Sequence, residues 1–149
     1  MTDAETAAFL RERWLGVLGS VGSDVAPHLV NVGYLAEDGQ IVVTSFAAAQ
    51  KVRNIECTGV ATLLVEHPWP YAEVRGVMVS GSARVVRDTA TALDITTKMC
   101  DAHVRMSGTE SGQGTFDDDP AKHAAKRIAV YLEPTRVRTG DRTKLGGTY

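Results

Sequence analysis

Cysteine, aromatic side chains and long apolar runs are all scarce in this chain. Only Cys57 and Cys100 are present among 149 residues, and they lie far apart. A disulfide framework is therefore the less favoured alternative, and with no signal peptide after Met1 we expect two reduced thiols in a cytoplasmic protein. No apolar run approaches the roughly 20 residues of a membrane-spanning helix, which argues against a membrane partner.

Charge of one sign is also missing. The formal net charge is −2, so no overall basic field would attract nucleic acid or an anionic membrane surface. The basic stretch near the C-terminus, from Arg136 to Lys144, is too short to change that expectation. A hydrophobic fraction of 44% and a length of 149 residues predict a single globular domain over residues 1–149.

Motifs for metal binding and nucleophilic catalysis are absent from the sequence. The histidines and cysteines do not follow the spacing of zinc fingers or zincins, and we predict no metal site. No Gly-x-Ser-x-Gly occurs, and the glycine-rich stretch from Ser107 to Thr115 lacks the Gly-Lys-Ser/Thr ending of a P-loop. We therefore assign no catalytic residue and expect a flexible loop over Ser107 to Asp118.

The apolar patterning predicts a mainly β fold, a six-stranded antiparallel barrel with short flanking helices. Asp38-Gly39 lies between two β-patterned runs and is a strong hairpin signal, while Gly76 and Gly81 predict bends inside a long strand. The predicted strands are Leu15–Val21, Pro27–Leu35, Gln40–Ser45, Val60–Glu66, Tyr71–Val86 and Ile128–Leu132; the predicted helices are Thr2–Trp14, Ala47–Cys57, Thr89–Met106 and a short one opened by Asp119-Pro120.

The third strand and the helix after it form a candidate anion site. Thr44 and Ser45 end the strand, and Lys51, Arg53 and Asn54 follow on the helix. A helix start presents unpaired backbone N–H groups and a favourable dipole to an anion. A phosphate-bearing small molecule would fit these groups, although an ordinary solvated helix face is an equally weighted alternative.

Two further groups are weaker candidates. His28 and Asn31 lie on a strand otherwise suited to burial, and an edge that hydrogen-bonds a heterocycle is one interpretation. A satisfied core amide and an exposed strand histidine are the favoured alternative. Trp69 and Tyr71, flanked by prolines, form an aromatic loop that we interpret first as a dimer contact or core plug.

Taken together, several segments resemble the pyridoxamine-5′-phosphate-oxidase-like split β-barrel flavoproteins. The resemblance rests on the order and spacing of Pro27–Val32, Asp38–Ile41, Val43–Ser45, Lys51–Asn54, Val74–Gly76 and Gly81–Val86. The C-terminal Lys144–Tyr149 is similar to the end of a branch that binds the deazaflavin coenzyme F420 instead of FMN.

The resemblance implies a split β-barrel that works as a homodimer, with the cofactor at the subunit interface. Lys51 matches the phosphate-binding lysine, with Thr44 and Ser45 beside it. The strand from His28 through Val30 to Asn31 matches the one lining the ring. Tyr71 falls near the position where the other subunit contacts the ring.

The function implied is hydride transfer between coenzyme F420, or FMN, and a small organic electrophile. In such enzymes the redox chemistry belongs to the cofactor. The family's FMN oxidases carry an arginine where His28 stands, and their substrate-binding basic residues are not evident, so we do not expect vitamin B6 oxidation. The alternatives are a non-catalytic flavin, F420 or haem carrier, with His67 or His103 as a haem ligand, and a structural dimer that binds nothing.

Overall fold

The computed structural model describes residues 1–107 and 120–144. The helices are α1 (Asp3–Arg11), α2 (Gln50–Thr58), α3 (Thr89–Ser107) and α4 (Pro120–Ala124), with single 3₁₀ turns at Tyr71–Glu73 and Arg142–Lys144. The strands are β1 (Leu15–Val21), β2 (Pro27–Gly33), β3 (Leu35–Glu37), β4 (Gln40–Phe46), β5 (Val60–His67), β6 (Arg75–Val86) and β7 (Arg127–Asp141). Apart from Ser107, which ends α3, the predicted loop from Ser107 to Asp118 lies outside the described residues, as does the end of the chain after Lys144.

The strands form one curled antiparallel sheet in the order β2-β1-β5-β6-β7-β4-β3. The apolar side chains on its concave face make the core, which α1 and α2 complete with Phe9, Val52 and Ile55. This arrangement confirms the predicted mainly β, antiparallel split barrel. Strands β2 and β4 approach each other across the split although they are not paired in the sheet.

The sheet has seven strands, and the predicted number of six is wrong. The run from Pro27 to Leu35 is divided at Tyr34, whose backbone N–H donates to the Trp14 carbonyl at 2.9 Å. The Tyr34 hydroxyl donates to the Leu10 carbonyl at 2.8 Å. Beyond this residue the chain leaves β1 and pairs with β4 as β3. Apolar alternation continues through the break, so the pattern alone does not show the change of partner.

The pairing of the long strands β6 and β7 is irregular at Gly81, one of the two glycines where the sequence predicts a bend, and regular at the other, Gly76. Their register shifts between Ser80 and Gly81. A Cβ atom on Gly81 would collide with the backbone carbonyl of Glu133 and lie 3.0 Å from the backbone nitrogen of Thr135. Glycine is therefore needed for close approach of the two backbones. The predicted bounds were less accurate: β6 begins at Arg75 rather than Tyr71, and β7 is longer than Ile128–Leu132.

Local side-chain chemistry explains the ends of the first two helices. Thr2 caps α1: its hydroxyl accepts from Glu5 N–H, and the Glu5 carboxylate accepts from Thr2 N–H at 2.7 Å. Helix α2 has no side-chain cap and ends at Gly59, whose φ of 68° is left-handed. At the start of α2 the backbone N–H groups of Gln50 and Lys51 have no acceptor among the described residues, whereas Val52 N–H donates to the Ala49 carbonyl at 3.0 Å. Across the described ranges, no helix has the length and apolarity needed to cross a membrane.

Candidate functional site

The end of β4, the first turn of α2 and the start of β7 bring two cations together. Arg127 is the first residue of β7 and lies opposite Phe46 in the β4 register. Its guanidinium carbon is 4.9 Å from the centre of the Phe46 ring, and Nη1 donates to Thr44 Oγ1 at 3.3 Å. Lys51 lies close enough for the charge of Arg127 to act on its ammonium group. The predicted anion site thus contains a second cation.

The electrostatics of this pair favour an anionic guest. Burial lowers the pKa of Lys51, and the like charge of Arg127 lowers it further. Burial also lowers the pKa of Arg127. Over residues 1–107 and 120–144, no carboxylate forms an ion pair with either side chain. Arg127 Nε is also buried without a hydrogen-bond partner, so an anion would supply what both groups lack.

The walls of the site come from β4 and α3. Thr44 and Ser45 are buried, with 8% and 2% of their surface exposed. The Thr44 hydroxyl contacts Met99 Sδ at 3.8 Å, and the Ser45 hydroxyl donates to the Phe46 carbonyl at 3.3 Å. Cys100 follows Met99 on α3 and lies near Arg127; burial raises the pKa of its thiol. Helix α3 therefore closes one side of the cation pair.

Strand β2 lies at the other side of the split, at the edge of the sheet. His28 and Val30 are half-buried on its inner face, whereas Asn31 is exposed on the outer face. His28 and Val30 share the face of Val32, which lies in the hydrophobic core, whereas Asn31 shares the outer face with Gly33, where a Cβ atom would lie 2.8 Å from Met99 Cε. Ligand contacts of His28, Val30 and Asn31 stay predictions.

The Asn54 side chain is occupied by the protein itself. Only 4% of Asn54 is exposed, and its Nδ2 donates to Ser20 Oγ at 3.2 Å. Its Oδ1 accepts from Gln50 Nε2 at 2.7 Å. These bonds tie α2 to β1 beneath Lys51. Direct cofactor contact by Asn54 stays a prediction, but the geometry gives this amide a positioning role.

The predicted aromatic loop is open to solvent. Trp69 is 76% exposed and Tyr71 is 63% exposed. The guanidinium carbon of Arg142 lies 3.9 Å from the centre of the Tyr71 ring. Such exposure of large rings is typical of surfaces that meet another molecule. A contact of either ring with cofactor or partner stays a prediction.

Sequence reasoning missed Arg127, Met99 and the packing around His103. Arg127 precedes an apolar run, but only the pairing of β4 with β7 places it beside Thr44. His103 packs edge-on against Trp14, with ring centres 4.3 Å apart. Within the described part of the chain, no three His, Cys, Asp or Glu residues cluster as a metal site would require.

Comparison with known proteins identifies the family. The sequence model for pyridoxamine 5′-phosphate oxidase matches residues 2–139. The chain therefore belongs to the pyridoxamine 5′-phosphate oxidase family, which includes oxidases and reductases and binds flavin-type cofactors, FMN or F420. This result confirms the resemblance drawn from the sequence segments.

Solved structures share the fold over most of the chain. A conserved hypothetical protein, Rv2991 from Mycobacterium tuberculosis, is 27% identical, with 100% of this chain and 90% of that chain covered and a TM-score of 0.80. An F420 reductase is 20% identical, covering 88% and 94%, with a TM-score of 0.70. The haem storage protein HutZ from Vibrio cholerae is 14% identical, covering 93% of each chain, with a TM-score of 0.64. No curated protein sequence matches.

Proposed function

We propose that this chain is an oxidoreductase that transfers hydride between coenzyme F420, or FMN, and a small organic electrophile. The observation that carries the proposal is the pair of half-buried cations, Lys51 and Arg127, with no carboxylate partner among the described residues. Both coenzymes carry a phosphate. Lys51 lies in the first turn of α2, where the backbone N–H groups of Gln50 and Lys51 add hydrogen-bond donors.

The residues of the site fit such a group because they offer complementary charge and an unsatisfied donor. Arg127 Nε is buried without a partner, and Nη1 is held by Thr44 Oγ1. The guanidinium is thus oriented before a ligand arrives, which lowers the entropic cost of binding. Lys51 adds a point charge. When bound, the coenzyme would supply the hydride chemistry.

The remaining side chains position the ligand and limit water access. Met99 and Thr44 lie beside the cations, and Met99 also lies against Gly33, on the face of β2 that carries Asn31. Apolar contacts there would hold a planar ring while the cations hold the phosphate. In favourable cases, restricting the reactants to one orientation lowers the activation barrier by roughly several kcal/mol. No side chain of this chain is required as an acid or base in this proposal.

We also propose that the protein works as a homodimer through the outer face of β2, β1 and β5. Leu15, Leu29 and Leu64 lie on this face and are 50%, 67% and 37% exposed. The register places Leu29 beside Gly19 and Leu64 beside Val17, so their side chains form one continuous apolar surface. A second copy would bury that surface and meet the exposed Asn31.

The proposal is tested by titrating FMN and F420 separately into the wild-type protein and Lys51→Ala. A charge-assisted hydrogen bond contributes roughly 1.5–3 kcal/mol, so we expect the variant's Kd to rise about ten- to a hundredfold. Arg53→Ala is the matched control, because Arg53 is an exposed cation on the same helix; its Kd should stay within threefold. An unchanged Kd in Lys51→Ala refutes the phosphate role.

Turnover separates an enzyme from a carrier. We expect the reduced coenzyme, bound to the wild-type protein, to be oxidised by an α,β-unsaturated ketone or an imine from a broad panel. The change is followed by the coenzyme's visible absorbance. Tight binding without oxidation by any electrophile would favour the carrier, and a Soret band on adding haem instead of coenzyme binding would favour a haem protein.

A further inference from the structure

A cavity of about 570 Å³ lies between the end of α1, strand β3 and the second half of α3. It contains neither Lys51 nor Arg127 among its lining residues, so it is distinct from the proposed phosphate site. Leu10 and Tyr34 line it from the core side, and Met106 lines it from α3. Tyr34 is only 1% exposed and its hydroxyl donates to the Leu10 carbonyl, so the accessible apolar surface of the cavity comes from Leu35, Ala36 and Met106. The cavity therefore has apolar walls.

Three arginines line the same cavity without carboxylate partners. Arg11 and Arg13 come from the end of α1, and Arg105 comes from α3. In the described ranges, no Asp or Glu side chain forms an ion pair with any of them. Arg105 Nε reaches only the backbone carbonyl of Asp101, at 3.4 Å. Arg13 lies over the Phe9 ring, and its Nε is buried without a hydrogen bond.

The other charges of the cavity do not neutralise these arginines. The carboxylate of Glu37 is engaged by the Lys98 ammonium at 3.3 Å, and Asp94 holds the same ammonium at 3.1 Å. Asp101 is the second carboxylate of the lining. The cavity lining thus contains four cations, the three arginines and Lys98, but only two carboxylates, Glu37 and Asp101. Of these carboxylates, Glu37 is already paired with Lys98. The cavity keeps an excess of positive charge.

We propose that this cavity binds an organic carboxylate with an apolar body. Guanidinium groups bind carboxylates through two parallel hydrogen bonds, and the arginines supply several such forks. Leu35, Ala36 and Met106 would contact the hydrocarbon part of the ligand. Apolar walls with a few converging polar groups are the usual composition of small-molecule sites. The proposal does not depend on the proposed coenzyme function.

Octanoate is the probe, and isothermal titration calorimetry measures its binding to the full chain. We expect one octanoate per chain, and no saturable binding of octanol, which has the same number of carbon atoms but no charge. Arg105→Gln and Arg11→Gln should each raise the Kd fivefold or more. Both side chains are exposed, so the substitutions leave the core intact. The matched control is Arg136→Gln, an exposed cation on β7 outside the cavity.

Several outcomes would overturn the proposal. They are an absence of saturable octanoate binding, octanol binding of equal affinity, and a change below fivefold in both arginine variants. A fivefold loss in Lys51→Ala would also overturn it, because octanoate would then be using the phosphate site. Lys51→Ala with unchanged octanoate affinity supports a separate site, whatever the coenzyme titrations show.

Discussion

Replacing Asn54 by alanine should weaken the fold rather than coenzyme binding. The amide of Asn54 bridges α2 to β1 through Ser20 Oγ, and it also accepts from Gln50. Alanine removes both bonds and leaves the Ser20 hydroxyl, which is 3% exposed, buried without its partner. The unsatisfied Ser20 hydroxyl costs about 1–3 kcal/mol, which includes its lost bond, and the lost bond to Gln50 costs about 1 kcal/mol.

The expected loss of stability is therefore about 2–4 kcal/mol. For a chain of this length, 1 kcal/mol corresponds to roughly 2–4 °C in Tm, so Asn54→Ala should melt roughly 5–15 °C below the wild type. Circular dichroism of the apo-protein measures this change. Coenzyme Kd, measured well below the melting range, should change less than threefold.

A double-mutant cycle with Ser20→Ala measures the contribution of the hydrogen bond between Asn54 and Ser20. Residues in direct contact show coupling of about 0.5–3 kcal/mol in double-mutant cycles. The double variant should therefore be less destabilised than the sum of the single variants. An unchanged Tm in Asn54→Ala, together with coenzyme affinity reduced tenfold or more, would refute this reasoning and make the amide a ligand contact.

Two further substitutions test the bend of the sheet and the proposed subunit contact. Gly81→Ala should lower the free energy of unfolding by more than about 3 kcal/mol or prevent folding. The new Cβ would collide with the backbone of Glu133, and no side-chain rotation can relieve that collision. The control is Gly140→Ala on β7, which should melt near the wild type because a Cβ there meets no atom within 4 Å. Leu29→Glu should produce monomers in sedimentation velocity, because it buries a charge in the proposed subunit contact. The control, Leu93→Glu on α3, should remain dimeric. A monomeric wild-type protein, or a dimeric Leu29→Glu variant, argues against the proposed interface.

Sequence patterns predicted those elements of the fold whose conformation depends on residues close together in the chain. The hairpin at Asp38-Gly39 is present, with φ of 51° and 77° at the two residues, because few residue pairs adopt such a turn readily. Helix α2 buries Val52 and Ile55 as its periodicity predicts. In each case neighbouring residues alone determine the geometry.

Features that depend on distant pairing were not predictable in this way. Division of the predicted second strand at Tyr34 depends on hydrogen bonds to Trp14 and Leu10, which come from an earlier part of the chain. Arg127 enters the site only because β7 pairs with β4. Lys51 was identified from its place at a helix start, but Arg127, the cation whose charge acts on it, lies far away in sequence.

The cation pair is informative because it opposes folding in the absence of a ligand. Burial lowers the pKa values of Lys51 and Arg127, and the charge of Arg127 lowers that of Lys51 further, so keeping both charged makes the folded state less stable than it would be with solvated side chains. The fold nevertheless holds Arg127 against Phe46 and Thr44. An anion between the cations would raise both pKa values and reverse the penalty. A ligand that binds only the folded state stabilises that state. The interaction that gives coenzyme affinity should therefore also raise the free energy of unfolding.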